Sequence, residues 1–324
     1  MNLLLIGAGQ LGSRHLQSCL KYGERLNIFV VDNSEDSLNL AKSRALEIEN
    51  KHNHEVQFLS DLSMIKEPSF DYLIIATGAS VRFSVLARAL KLFNIKHAIL
   101  EKVLFQDLQS YADASQLIKD ANLNTFVNCP LRAYPFFKEI KRKYISTRNR
   151  TRLQFVGGER FGLACNSIHY LDLLNFLTEE KLENIDAQQL DDGYVVSKRR
   201  GNIEFTGVIK ASYESGAYLT IESVKGSEQD SVFEITNGNY RILINESSAK
   251  YKVFEGEELL EDSGYKILYQ SDLSHLMISQ LEKTGMCELI AFQESVHLHK
   301  EMITKLLEHH NKFSTYATST LSIT

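Results

Sequence analysis

The sequence predicts two domains, a doubly wound α/β domain followed by an α+β domain built on a mostly antiparallel sheet. Three observations carry this. The first stretch of chain alternates short apolar runs, LLLI, NIFVVD, VQFL, YLIIAT, HAIL and NTFVNC, with helical segments such as Ser13 to Tyr22 and Ser34 to Leu46. Strands that are almost continuously apolar and separated by helices fit a parallel sheet covered on both faces. A glycine-rich turn, Gly7-Ala8-Gly9-Gln10-Leu11-Gly12, joins the first run to the first helix. From about Thr151 the texture changes to period-two alternation in Ile203 to Ser212, Ala217 to Ser223, Ser231 to Thr236 and Tyr240 to Ile244, with turn signals ESG and NGN between runs.

The boundary is placed at residue 130, giving domains over 1–130 and 131–324. Helical segments near Asp272 to Lys283 and Leu289 to His310 close the second domain, and the tail STYATSTLSIT, which has no periodicity, is expected to fray or form an arm. A chain of 324 residues with 44% hydrophobic content supports two packed cores. Its net charge of -5 gives no general attraction for nucleic acid or an anionic membrane surface, so neither is an expected partner. The apolar run in MNLLLIGAGQLG is too short for a signal segment, and no later run approaches the ~20 residues of a membrane span. A cytoplasmic location is expected. Cys19, Cys129, Cys165 and Cys287 are too dispersed for a zinc site or a disulfide framework, which suits a reducing compartment. His309 and His310 are consecutive on a helix and do not share a face, so no metal site is expected.

The turn between the first strand and first helix carries the strongest chemical signal. Gly7 permits a tight turn, Gly9 lets backbone approach a pyrophosphate, and Gly12 allows close packing of helix on sheet, with Gln10 and Leu11 between them at the helix N-terminus. Asp32 ends the second strand at the spacing of a dinucleotide fingerprint. The domain is therefore expected to be a Rossmann domain. A carboxylate at Asp32 accepts from ribose hydroxyls and repels a 2′-phosphate, and Asn33 adds no compensating charge, so NAD is expected in preference to NADP.

Ligands of open α/β sheets sit beyond the carboxyl ends of the strands. Ala76-Thr77-Gly78-Ala79 follows the fourth strand, Glu101-Lys102-Val103 the fifth, and Asn128, Arg132, Tyr134 and Pro135 come after the sixth. Further on, GLACNSIHYLDLLNFL places Cys165, His169 and Asp172 on one helical face with Asn166 beside them. These motifs, in this order, resemble the Gfo/Idh/MocA oxidoreductase family (glucose-fructose oxidoreductase and inositol dehydrogenase-like proteins). The matches are Gly7, Gly9, Gly12 and His15; Ala76 and Thr77; Glu101 and Lys102; Asn128, Arg132 and Pro135; then His169 and Asp172.

The resemblance implies hydride transfer between nicotinamide and a hydroxyl or carbonyl carbon of a sugar, nucleotide sugar or cyclitol. Lys102 would stabilise the developing charge on the reacting oxygen, His169 would exchange its proton, and Asp172 would orient the imidazole. Thr77, Gly78 and Glu101 join the glycine turn and Asp32 as expected cofactor contacts, and Arg132, Tyr134, Cys165 and Asn166 are the expected substrate contacts. A homodimer or homotetramer is implied as well. The chemistry agrees, since oxidation at an alcohol carbon requires loss of the hydroxyl proton, which an imidazole can take and a nearby ammonium favours. Three features depart from the family pattern: Cys165 stands where relatives carry aspartate, Val103 replaces proline, and the A-T-P-N turn reads A-T-G-A with Arg82 in place of a common histidine. A catalytically silent NAD-binding protein, or a lyase or glycosidase that oxidises its substrate transiently, would share the fingerprint. The ordinary roles compete at each position: a lysine after a strand is often solvated, and a histidine in an apolar helix is often a core residue.

Overall fold

A computed structural model describes residues 1–324. Its contacts cluster into two units, one comprising residues 1–105, 109–128 and 268–294, the other residues 106–108, 129–267 and 295–324. The chain leaves the first unit after residue 128 and returns to it for 268–294, so the helical segment near Asp272 to Lys283 belongs to the first unit and not the second.

The first unit alternates β1 (Asn2–Ile6), α1 (Gly12–Cys19), β2 (Asn27–Val31), α2 (Glu35–Ala45), β3 (Glu55–Leu59), β4 (Ser69–Ile75), α3 (Ala79–Leu92), β5 (Asn94–Leu100), α4 (Leu108–Asp120) and β6 (Asn124–Val127). The strands pair in parallel in the order β6-β5-β4-β1-β2-β3. Leu3, Leu4 and Leu5 on β1 and Leu73 and Ile75 on β4 are fully buried, as central strands covered on both faces must be. The order reverses at β1, so the carboxyl ends of β1 and β4 diverge into helices on opposite faces and leave a crevice. This is the doubly wound arrangement read from the sequence.

The second unit holds α5 (Pro135–Tyr144), β7 (Thr151–Gly158), α6 (Leu163–Thr178), β8 (Leu182–Leu190), β9 (Val195–Val196), β10 (Ile203–Glu204), β11 (Gly207–Tyr213), β12 (Tyr218–Val224), β13 (Val232–Asn237), β14 (Tyr240–Asn245), β15 (Lys250–Glu255) and β16 (Glu258–Gly264). Eight strands form one sheet in the order β16-β15-β14-β13-β7-β12-β11-β8, antiparallel except for β7 with β12. α7 (Ser274–Thr284) and β17 (Ile290–Ala291) follow, with β17 antiparallel to β6 at the edge of the first sheet, and α8 (Phe292–Phe313) ends the regular structure.

α6 lies on the large sheet, where Tyr170 packs its ring 4.4 Å from Phe155 of β7 and 5.8 Å from Phe233 of β13. Along α6 the buried residues run almost around the helix, including Leu163, Ile168, Leu171 and Leu174, while Cys165, Asn166 and His169 form a half-exposed stripe. The apolar text of this helix is thus core on most sides, and its polar residues mark the side left open.

Two local expectations fail. The run Ile203 to Ser212 is not one strand: Ile203 and Glu204 pair with β9 in a separate two-stranded ribbon, and the chain reaches the large sheet only at Gly207. The tail is not frayed. Leu321 and Ile323 are fully buried, the Leu321 N–H donates to the Gln106 carbonyl at 2.8 Å, and the Ile203 N–H donates to Ser322 at 2.8 Å. Two apolar side chains and paired backbone groups make this segment a strap of the second unit, a tertiary outcome that local periodicity does not encode. Leu321→Ala should therefore destabilise the protein by about 2–4 kcal/mol in urea unfolding. A change within about 0.5 kcal/mol, the range of surface substitutions, would show the strap to be dispensable.

Candidate active site

The glycine turn is built by close approach. A β-carbon at Gly12 would fall 1.8 Å from the Gly7 carbonyl oxygen, and one at Gly7 would lie 2.8 Å from backbone atoms of Ala76 and Thr77. The space around Gly9 is open to 4 Å. Two glycines thus let β1, α1 and the turn after β4 touch, and the third leaves a face for a ligand.

That face opens on a cavity of about 600 Å³ lined by Gly7, Gly9, Asp32, Thr77 and Gly78 together with Asn33, Ser60, Asp61, Leu62 and Arg88. One Asp32 oxygen accepts the Ala8 N–H at 2.7 Å and the other the Ser34 N–H at 2.8 Å, which fixes the carboxylate at the crevice with lone pairs to spare. Thr77 Oγ1 is buried without a hydrogen-bond partner in this lining. A dinucleotide fits these residues: a bare backbone turn at a helix start for its phosphates, a fixed carboxylate for a ribose, and an orphaned hydroxyl that a polar ligand group would satisfy. Of the other expected contacts, Leu11 is the N-cap residue of α1, and Gln10 is engaged by Arg44, whose guanidinium donates to its side-chain oxygen at 2.6 Å and its carbonyl at 2.7 Å.

Glu101 is not in the cavity lining. It is 3% exposed and sits in a buried polar cluster. Its Oε1 meets His15 Nε2 at 2.8 Å and accepts from Asn128 Nδ2 at 2.5 Å, while Oε2 faces the Lys102 N–H at 3.3 Å. On the far side, His15 Nδ1 meets Ser274 Oγ at 2.8 Å, and Gln270 bonds both Ser274 and Asn128. Burial alone would push the Glu101 carboxyl up, but the His15 hydrogen bond and charge, with Asn128 and the Arg82 guanidinium, hold it below the usual carboxylate range.

Arg82 is a clamp. It is 1% exposed and donates to the carbonyls of Thr77, Val103 and Leu104, tying the turn after β4 to the turn that carries Lys102. It is thus a structural cation, its guanidinium spent on backbone carbonyls. Lys102 itself is half-buried, and the peptide bond to Val103 is cis.

In the second unit, the structure pairs two expected residues with each other. Asp172 is fully buried, with Oδ2 3.2 Å from Arg132 Nε, and Arg132 also donates to Asn175 Oδ1 at 3.0 Å. Tyr134 is 9% exposed beside Phe137. Cys165, Asn166 and His169 occupy the open stripe of α6, and Asn166 Nδ2 donates to the Phe161 carbonyl at 2.6 Å. Sequence reasoning missed Ser60, Asp61 and Arg88 in the cavity. The strand-end rule pointed to the first two, which follow β3 directly, and nothing local marked the third.

Because Glu101 titrates below its unfolded value, its contribution is present above the unfolded carboxylate range near pH ~4.3 and is lost as pH falls through the lower folded value. His15→Ala, which strands that carboxylate, should cost about 3 kcal/mol at pH 7. Glu101→Gln should weaken the pH dependence of stability on the acid side. Urea midpoints that are identical in wild type and His15→Ala would contradict the pairing.

Comparison with known proteins agrees with this construction. Residues 1–129 match the GFO_IDH_MocA family model, described as an oxidoreductase family with an NAD-binding Rossmann fold. No curated protein matches the chain by sequence. Among solved structures, an oxidoreductase from Agrobacterium radiobacter in complex with NAD+, L-tartaric acid and magnesium is 15% identical with a TM-score of 0.72, covering 96% of this chain and 97% of that one. UDP-N-acetylglucosamine 3-dehydrogenase from Acidithiobacillus ferrooxidans is 13% identical with a TM-score of 0.71 over 97% and 98% of the two chains. An aldose-aldose oxidoreductase from Caulobacter crescentus is 14% identical with a TM-score of 0.68 over 98% and 99%. At these identities the likeness establishes the fold along the whole chain. Residues 1–129 thus match the NAD-binding Rossmann fold of the GFO_IDH_MocA oxidoreductase family, and the chain as a whole shares its fold with these oxidoreductases.

Proposed function

We propose that the protein is an NAD-dependent dehydrogenase or reductase acting on a hydroxyl or carbonyl carbon of a carbohydrate-like substrate, a sugar, nucleotide sugar or cyclitol. The observation that carries this is the cavity at the Rossmann crevice, with Asp32 fixed at its edge and the Glu101 cluster bracing the strand end that bears Lys102. When bound, NAD supplies the hydride acceptor or donor. The chain's residues do the rest. The Gly7 to Gly12 turn and the start of α1 hold the pyrophosphate, and Asp32 accepts from the ribose hydroxyls. A second carboxylate in the lining, Asp61, is bonded at 2.7 and 2.8 Å to Arg88, so the lining's one arginine is already engaged and a 2′-phosphate would find no ready partner. This supports NAD over NADP.

Lys102 donates to the reacting oxygen and stabilises its negative charge. His169 takes the hydroxyl proton in oxidation and returns it in reduction. Asp172 and Arg132, an ion pair, brace the helix behind His169, and Tyr134, Cys165 and Asn166 contact substrate. Neighbouring structures named for a nucleotide-sugar dehydrogenase and an aldose oxidoreductase support the substrate class. A homodimer or homotetramer is part of the same reading, supported by the face of the large sheet that carries the half-exposed Tyr218, Thr220, Glu222 and Leu243.

The test is a panel of sugars, nucleotide sugars and cyclitols with NAD, NADH and their phosphorylated counterparts, followed at the nicotinamide absorbance. Turnover should prefer NAD, and Lys102→Ala and His169→Ala should each lower kcat/KM by roughly 100-fold or more. Turnover that survives both substitutions would overturn the assigned roles, and tight NAD binding with no turnover across the panel would overturn the activity.

A further inference from the structure

The buried carboxylate of Glu204 has no part in the mechanism above, yet it lies against the helix that carries His169. It comes from the short strand β10, is 5% exposed, and its Oε2 accepts the Ala164 N–H in the first turn of α6 at 2.7 Å. Ala164 is one of the orphan donors of a helix start, and no side chain of α6 itself caps it. A carboxylate at this end is favoured by the helix dipole.

Its other oxygen reaches the open stripe. Gly162, with φ at 78°, precedes the helix, and a β-carbon there would lie 3.1 Å from Glu204 Oε1, 3.0 Å from Cys165 Sγ and 3.4 Å from Asn166 Nδ2. Three polar atoms converge on one point, which only glycine leaves clear. The carboxylate at that point comes from β10, and the thiol and amide come from α6. β10 is held in turn by the tail strap, since Ile203 donates to Ser322.

We propose that Glu204 is a positioning residue for the α6 wall. Its carboxylate caps the helix and places a fixed negative charge beside Cys165 and Asn166, one turn from His169, so that α6 needs no acid of its own there. The proposal rests on the reading that His169 exchanges the substrate proton. Its effect is on the geometry and field of the wall, and NAD affinity is untouched.

The experiment compares wild type, the isosteric Glu204→Gln, Cys165→Asp and the double variant, each in the full chain and each checked for an unchanged melting temperature. Iodoacetamide alkylation mapped by mass spectrometry reads Cys165 without any activity assay. Negative charge beside a thiol holds back the thiolate, so Glu204→Gln should alkylate Cys165 about threefold faster or more. In turnover, Glu204→Gln should lower kcat by on the order of tenfold with unchanged NAD affinity, and Cys165→Asp in the same chain, which returns a carboxylate to the same point, should restore most of it. Alkylation equal to wild type would overturn the placement of the charge. A kcat loss that Cys165→Asp leaves unrepaired would overturn the functional role and reduce Glu204 to a cap. Absence of turnover in wild type would instead count against the dehydrogenase reading, and the alkylation rates would still judge Glu204.

Discussion

The buried bond between His15 and Glu101 is the constraint on which the nucleotide-binding unit depends. A carboxylate sealed from water costs several kcal/mol unless it is paired and hydrogen-bonded, and here the cluster around Glu101 at the end of β5 draws on three other places in the chain: α1, the end of β6 and the segment leading into α7. The charge can be satisfied only when those elements stand in their native register. The start of α1 is the phosphate turn, and the residue after Glu101 is Lys102. One buried pair therefore fixes the helix that receives the cofactor and the strand end that carries the proposed catalytic lysine.

Arg82 repeats the device at the adjoining turn. Its guanidinium holds carbonyls of Thr77, Val103 and Leu104, so the loop beside the cavity is tied to the loop after Lys102. Preorganisation of this kind matters because an ammonium misplaced by an ångström loses much of its value to a developing charge. In the second unit the pairing of Arg132 with Asp172 has the same logic, a buried carboxylate held by a partly buried guanidinium behind the open stripe of α6. The polar residues of that helix divide accordingly, with Asp172 inward and His169, Cys165 and Asn166 on the half-exposed side.

How much of this was legible in the sequence follows from range. The Rossmann fingerprint is local: Gly7, Gly9 and Gly12 act through backbone geometry within one turn, and the alternation of strands and helices is a periodic signal. The half-exposed stripe of α6 was legible only in part, because residues three and four apart share a face: Cys165, Asn166 and His169 lie on it, but Asp172, expected on the same face, is fully buried against Arg132. The cluster around Glu101 was not, since His15, Asn128, Gln270 and Ser274 are distant in the chain and each looks ordinary where it stands. Glu204 was hidden by a separation of 40 residues from the amide it caps and by a run that read as one strand from Ile203 to Ser212. The tail was misread because its burial is decided by where Leu321 and Ile323 land, and that is written in no local pattern.

The central claim is that hydride passes between nicotinamide and a carbon of the substrate. It is tested most directly by isotope transfer, with NADH deuterated at the reactive C4 position, a keto-sugar or nucleotide keto-sugar as acceptor, and mass spectrometry of the product. The account predicts one deuterium on the new carbinol carbon, absent from the product of the Lys102→Ala chain. Bound cofactor that keeps its deuterium through turnover, or a product formed without it, would contradict the account.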